Sequence, residues 1–137
     1  MLFRSQVWEE GSDLFTAWVA LSDVTAEAGP MRFVRGSHRW GLQHSDFYGQ
    51  DHDALRRQIH IPDRETWEEV PALLPPGGVS FHHNLTYHGS GPNRTPEPRR
   101  SFALHLRTER SAPVGGVRKG LTQFIDDPRC CPVIYGG

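Results

Sequence analysis

The apolar residues of this chain come in short runs, each soon cut off by glycine or proline. Fourteen glycines and 11 prolines are spread over all 137 residues rather than gathered in a linker. Runs this short do not build long amphipathic helices. They build strands between turns, and repeated punctuation of this kind marks an all-β sandwich or barrel. The clearest run is Leu14-Phe15-Thr16-Ala17-Trp18-Val19-Ala20-Leu21. A period of two places Phe15, Ala17, Val19 and Leu21 on one face, with Thr16, Trp18, Ala20 and Ser22 on the other. A turn ending at Gly29-Pro30 leads into a strand over Met31–Val34, which runs on to Gly36-Ser37-His38. Pro75-Pro76-Gly77-Gly78 turns into a strand over Val79–His83. The last strong strand, Arg99–Arg107, turns Phe102, Leu104 and Leu106 one way and Arg99, Ser101, Ala103, His105 and Arg107 the other.

Between Gly41 and Leu74 the pattern lapses. Residues 51–58 suit two helical turns, and Asp63–Glu69 is a charged, solvated run anchored by Trp67. No core-forming strand is expected there, so 41–74 reads as a variable insertion within one domain spanning 1–137, over the surface or across a site. Hydrophobic residues at 36% and aromatic residues at 10% suffice for a packed core. Fifteen Lys and Arg against 16 Asp and Glu give a net charge of −1, so neither nucleic acid nor an anionic membrane is expected as a partner. No stretch reaches the roughly 18 apolar residues of a spanning helix, and Met1–Asp13 meets charge too early for a secretory signal. Cys130 and Cys131 are adjacent, a poor geometry for a disulfide framework and not a zinc-ligand spacing. A reducing, cytoplasmic setting is therefore expected. Nothing in the sequence sets an oligomeric state, and residues 121–137 carry no assignable function.

Eight histidines are many for this length. The richest stretch is His82-His83-Asn84-Leu85-Thr86-Tyr87-His88-Gly89-Ser90-Gly91-Pro92-Asn93, followed by Arg99 and Arg100. Neutral imidazole is the commonest biological metal ligand. His88 stands where a strand gives way to a glycine-rich loop, so its ring can be held yet face a cavity. Arg99, eleven residues on, belongs to the polar face of its strand. If that face lines an interior, the guanidinium needs an anion, and its fork fits a carboxylate. The plainer readings are a hydrogen-bonded loop histidine and a solvated strand-end charge. For His82, His83, His38 and His105 local hydrogen bonding is the default reading, and Trp18 is a core or pocket-wall aromatic either way.

Two blocks, TAWVALSDVTAEAGPMRFVRGSHR and PPGGVSFHHNLTYHGSGPNRTPEPRRSFALH, resemble the phytanoyl-CoA dioxygenase family of Fe(II)/2-oxoglutarate oxygenases. The resemblance covers about residues 14–107 and is weakest over 41–74. It implies a double-stranded β-helix, the jelly-roll or cupin-like fold. It further implies hydroxylation of a C–H bond in a small molecule, coupled to decarboxylation of 2-oxoglutarate to succinate and CO₂, with O₂ as cosubstrate. By the same resemblance His88 is a metal ligand, while Arg99 and Ser90 secure the far carboxylate of 2-oxoglutarate and Trp18 lines its pocket.

Such an iron site takes two histidines and one carboxylate. In the family the first histidine and the carboxylate form a His-x-Asp motif upstream of the strand matching Phe15–Leu21. Counting back places it at, or just before, Met1, and Met1-Leu2-Phe3-Arg4 holds neither ligand. The resemblance is therefore to the C-terminal half of a family member, and the isolated chain is expected to lack a complete iron site. His44-Ser45-Asp46 is another His-x-Asp but falls in the wrong order. Two rival readings stay open. One is a non-catalytic cupin-like fragment binding at most an anion at Arg99; the other is a zinc hydrolase using His82, His83 and His88.

Overall fold

The computed structural model describes residues 7–43 and 52–136. Six strands and one short helix organise them: β1 (Leu14–Ala20), β2 (Met31–Val34), α1 (His52–Gln58), β3 (Glu69–Pro71), β4 (Val79–His83), β5 (His88–Ser90) and β6 (Ser101–Arg107). They form two three-stranded sheets, β4-β1-β6 and β3-β2-β5, with every pairing antiparallel. The all-β architecture expected from the short apolar runs is the one observed.

β1 is the central strand of the first sheet because nearly all of its side chains are buried on one side or the other. Trp18 lies opposite Ser80 and Ala103, and Thr16 opposite His82 and His105. Cross-strand partners share a face, so one face carries Thr16, Trp18, Ala20, Ser80, His82, Ala103 and His105. The other carries Phe15, Val19, Val79, Phe81, Phe102 and Leu104. The first face is the inner one. Trp18 and Ala20 are buried with Val24, and Met31 of the second sheet packs against them together with Leu74. The Phe33 ring of β2 lies 4.7 Å from that of His82, which closes the two sheets on one another further along.

The segment 41–74 holds no core-forming strand among its described residues, but it carries an exposed edge strand, and with the adjacent Trp40 it contributes to a buried cluster. Glu69–Pro71 forms β3 and pairs with Arg32–Val34, and Trp40 and Ile59 are buried with Val34 and Tyr87 while Trp67 packs against them. β3 escapes the pattern because it is an edge strand whose side chains are all exposed. Its place in the sheet rests on backbone pairing, reinforced by ion pairs Arg35–Glu68 (3.1 Å) and Arg32–Glu69 (3.5 Å) at the surface. A proline is tolerated at such an edge. The helix expected over 51–58 is α1. His88–Ser90, which the glycines make look like loop, is a short strand paired with β2.

The Gly36-Ser37-His38 turn has a structural task. Ser37 is fully buried; its hydroxyl donates to the Val34 carbonyl and accepts from the Tyr87 N–H, both at 2.8 Å. It ties the end of β2 to the residue preceding His88. Gly29 has φ +64°, and a Cβ there would stand 2.6 Å from the Gly91 carbonyl oxygen. Only glycine lets the two glycine-proline loops approach this closely.

Candidate active site

His88 begins β5 opposite Phe33. Its Nδ1 lies 2.7 Å from the Thr86 carbonyl oxygen, a distance at which Nδ1 carries the proton and the lone pair sits on Nε2. This is how a metal-ligating histidine is usually held. Burial lowers its pKa to about 4 against the opposing pull of the Thr86 hydrogen bond, so the ring is neutral at pH 7. His82 projects from β4 towards it with ring centroids 4.7 Å apart. Burial first, then the neighbouring His88, lowers the His82 pKa to about 4 as well.

Arg99 precedes β6 and lays its guanidinium over the indole of Trp18, with Cζ 5.5 Å from the ring centroid. Trp18 is 4% exposed. The Nη1 of Arg99 is buried without a hydrogen-bond partner, and so is the hydroxyl of Ser80. Ser90 ends β5 opposite Met31, the residue packed against the Trp18 cluster. The four expected site residues thus fall on the two facing sheets: Trp18 and Arg99 with the first, His88 and Ser90 on the second.

The remaining histidines separate clearly. His105 Nδ1 meets the Thr16 hydroxyl at 3.0 Å, the local pairing expected of it. His83 Nδ1 accepts from the Leu85 N–H at 3.2 Å, and its ring lies 5.9 Å from that of His38. His82 departs from expectation, because its Nδ1 is buried without a partner. His83 pairs with Phe15 on the opposite face of β4 from His82, which removes the basis for a zinc site made of His82, His83 and His88. His44 and Asp46 lie outside the described residues. A cavity of about 330 Å³ beside Trp8, Asp13, Leu42 and Asn84 has neither His88 nor Arg99 in its wall.

Among the described residues, no group of three or more His, Cys, Asp or Glu side chains is placed to hold a metal ion. They therefore do not fit a complete iron site. A carboxylate fits better, since buried donors with nothing to bond surround Trp18. Sequence reasoning missed Ser80. Its alternation with His82 was visible, but only the β1–β4 register brings it opposite Trp18.

Residues 3–101 match the family described as phytanoyl-CoA dioxygenase (PhyH). The chain belongs to the phytanoyl-CoA dioxygenase family. Human peroxisomal phytanoyl-CoA dioxygenase is 30% identical over 98 residues, which are 69% of this chain and 29% of the human protein. The methylphosphonate hydroxylase of Gimesia maris is 34% identical over 89 residues, 65% of this chain and 31% of that one. The chain thus spans less than a third of the length of either relative. Among solved structures, the epimerase SnoN in complex with Fe³⁺, α-ketoglutarate and nogalamycin RO superposes with a TM-score of 0.57 at 34% identity. That match covers 78% of this chain and 40% of SnoN. EvdO2 from Micromonospora carbonacea var. aurantiaca gives 0.58 at 27% identity over 82% of this chain and 44% of its own. The two sheets are accordingly those of a jelly-roll, cupin-like oxygenase fold. No helix among the described residues is long and apolar enough to cross a membrane.

Proposed function

We propose that this chain carries the 2-oxoglutarate-binding part of a Fe(II)/2-oxoglutarate-dependent dioxygenase that hydroxylates a small organic molecule. One observation carries the reading: the Arg99 guanidinium lies against a buried indole with a buried N–H that has no acceptor. A charged donor left so is costly unless an anion meets it, and a carboxylate accepts from a guanidinium without itself needing a donor. In this reading Arg99 and Ser90 hold the carboxylate farthest from the reacting end of 2-oxoglutarate. Trp18 forms the wall beneath it, and the neutral, Nδ1-anchored His88 is the metal-ligating histidine. Residues 40–74, in which Trp40, Ile59 and Trp67 pack near Tyr87, shape the substrate side. The adjacency of Cys130 and Cys131, a poor geometry for a disulfide framework, fits a cytoplasmic setting.

Calorimetric titration of the chain with 2-oxoglutarate and with 2-oxobutyrate, which lacks the far carboxylate, tests this. The expected result is a preference for 2-oxoglutarate of at least about tenfold, the scale of a charge-assisted hydrogen bond, abolished by Arg99→Ala. Equal binding of the two acids would sink the reading.

The absence of a metal-holding group among the described residues favours a second reading, a non-catalytic module that binds an anion at Arg99. Succinate release with Fe(II), 2-oxoglutarate and O₂ is the result that would exclude it. The 137-residue chain alone is expected to release none. Release that His88→Ala abolishes would instead show a working iron site and exclude the non-catalytic reading.

A further inference from the structure

We propose that Ser80 is a second donor to the far carboxylate of 2-oxoglutarate, acting beside Arg99 over the Trp18 ring. This inference rests on the cosubstrate reading given above. The β1–β4 register sets Ser80 directly across from Trp18, and side chains so paired stand with Cβ atoms about 4.5–5.5 Å apart on the same face. Arg99 covers that same indole at 5.5 Å. The Ser80 hydroxyl and the Arg99 Nη1 are both buried, and neither has a hydrogen-bond partner.

Two orphaned donors around one ring have a common solution. A neutral ligand could satisfy the hydroxyl, because serine both donates and accepts, but the guanidinium only donates. The group that satisfies both together is an acceptor with several lone pairs and a negative charge, which a carboxylate is. Elsewhere on the inner face the hydroxyl of Thr16 is already engaged by His105 at 3.0 Å, so it does not compete for the ligand. Ser90 sits on the facing sheet, opposite Met31. Ser80 therefore adds a contact from the sheet that bears Trp18, and the carboxylate is held from both sheets.

An unsatisfied buried hydroxyl gives Ser80→Ala opposite effects in the free and the bound protein. Without ligand the substitution removes a group that is desolvated and unpaired, so the melting temperature is expected to stay level or rise. With ligand it removes a hydrogen bond to a charged group, and binding is expected to weaken by about tenfold. A serine that merely held the fold would lower the melting temperature instead.

The test is calorimetry and thermal melting of the metal-free chain with glutarate, which has the far carboxylate but no 2-oxo group, and with butyrate as the monocarboxylate control. Glutarate binding weakened about tenfold in Ser80→Ala, with an unliganded melting temperature no lower than wild type, is the supporting result. Unchanged glutarate binding in Ser80→Ala, while Arg99→Ala loses it, overturns the role of Ser80 and leaves the cosubstrate reading standing. A lowered melting temperature of unliganded Ser80→Ala also overturns it, by making the residue structural. No preference of the wild-type chain for glutarate over butyrate overturns both.

Discussion

The two faces of the β4-β1-β6 sheet invert the usual relation between polarity and burial. The inner face carries Thr16, Trp18, Ser80, His82 and His105, yet Thr16 and Trp18 are 7% and 4% exposed. The outer face carries Val79, Phe81, Phe102 and Leu104, and Phe81 and Phe102 remain 68% and 56% exposed. A hydrophobic pattern alone would turn the phenylalanines inwards. The register shows why they are not: the inner face meets the second sheet through Met31 and Phe33, where polar groups are held around one tryptophan. The buried positions of the inner face are those of β1, Thr16, Trp18 and Ala20, while Ala103 and His105 of β6 on the same face stay exposed.

That contrast is sharpest at Trp18. Deleting the ring would strip the inner face of its largest buried side chain and open a cavity among Ala20, Val24, Met31 and Leu74. A loss of about 3–5 kcal/mol is expected for Trp18→Ala, enough to unfold much of a marginally stable domain. Chemical denaturation monitored by circular dichroism would measure it. A loss below about 1 kcal/mol would mean that the inner face is not the core.

Ser37 tests how, within the second sheet, the end of β2 is tied to the residue before β5. Its substitution by alanine leaves the Val34 carbonyl and the Tyr87 N–H without their 2.8 Å partner in a fully buried position. About 1–3 kcal/mol of stability is expected to go with it. Because the Tyr87 N–H lies next to His88, its amide exchange should accelerate more than that of β1 amides. Equal acceleration in both would show that Ser37 supports the fold at large rather than the start of β5.

Much of this arrangement was legible in the sequence, and what was hidden has physical causes. Alternation located β1 and β6 and set Trp18 and Arg99 on the polar side of their strands, and the glycine-proline turns located β2 and β4. It did not reveal β3, an edge strand with exposed side chains, or β5, whose glycine erases the period. The pairing of Ser80 with Trp18 was also out of reach, because alternation within one strand says nothing about the register of the next. His88 and Arg99 were recognisable through the family pattern. The geometry adds what a pattern cannot carry, namely the Thr86 carbonyl on Nδ1 of His88 and the partnerless Nη1 of Arg99.

The inner face should also fail first in acid. The pKa values of His82 and His88 are both lowered to about 4, against about 6.5 in an unfolded chain. Between those values the unfolded chain binds protons that the folded one refuses, so stability falls as the pH drops from about 6.5 towards 4 and is unaffected by these groups above that window. Stability measured across this range should decline less in a His82→Phe variant, which removes one of the two groups. An identical decline in variant and wild type would place the acid sensitivity elsewhere.

The smallest effect is expected on the outer face, and its smallness is what makes the comparison informative. Phe81 on β4 and Phe102 on β6 flank β1 from either side and keep most of their surface in water. Replacing either by glutamine removes little buried area, so stability should change by no more than about 0.5 kcal/mol. Binding of a hydrophobic dye should nevertheless fall, because a contiguous apolar patch is being broken up. Dye binding and denaturation measured on the same variants separate the two properties. If Phe102→Gln instead costs about 2 kcal/mol or more, the ring is covered in solution. The apolar face would then be a core surface in its own right, and the inversion between the two faces would disappear.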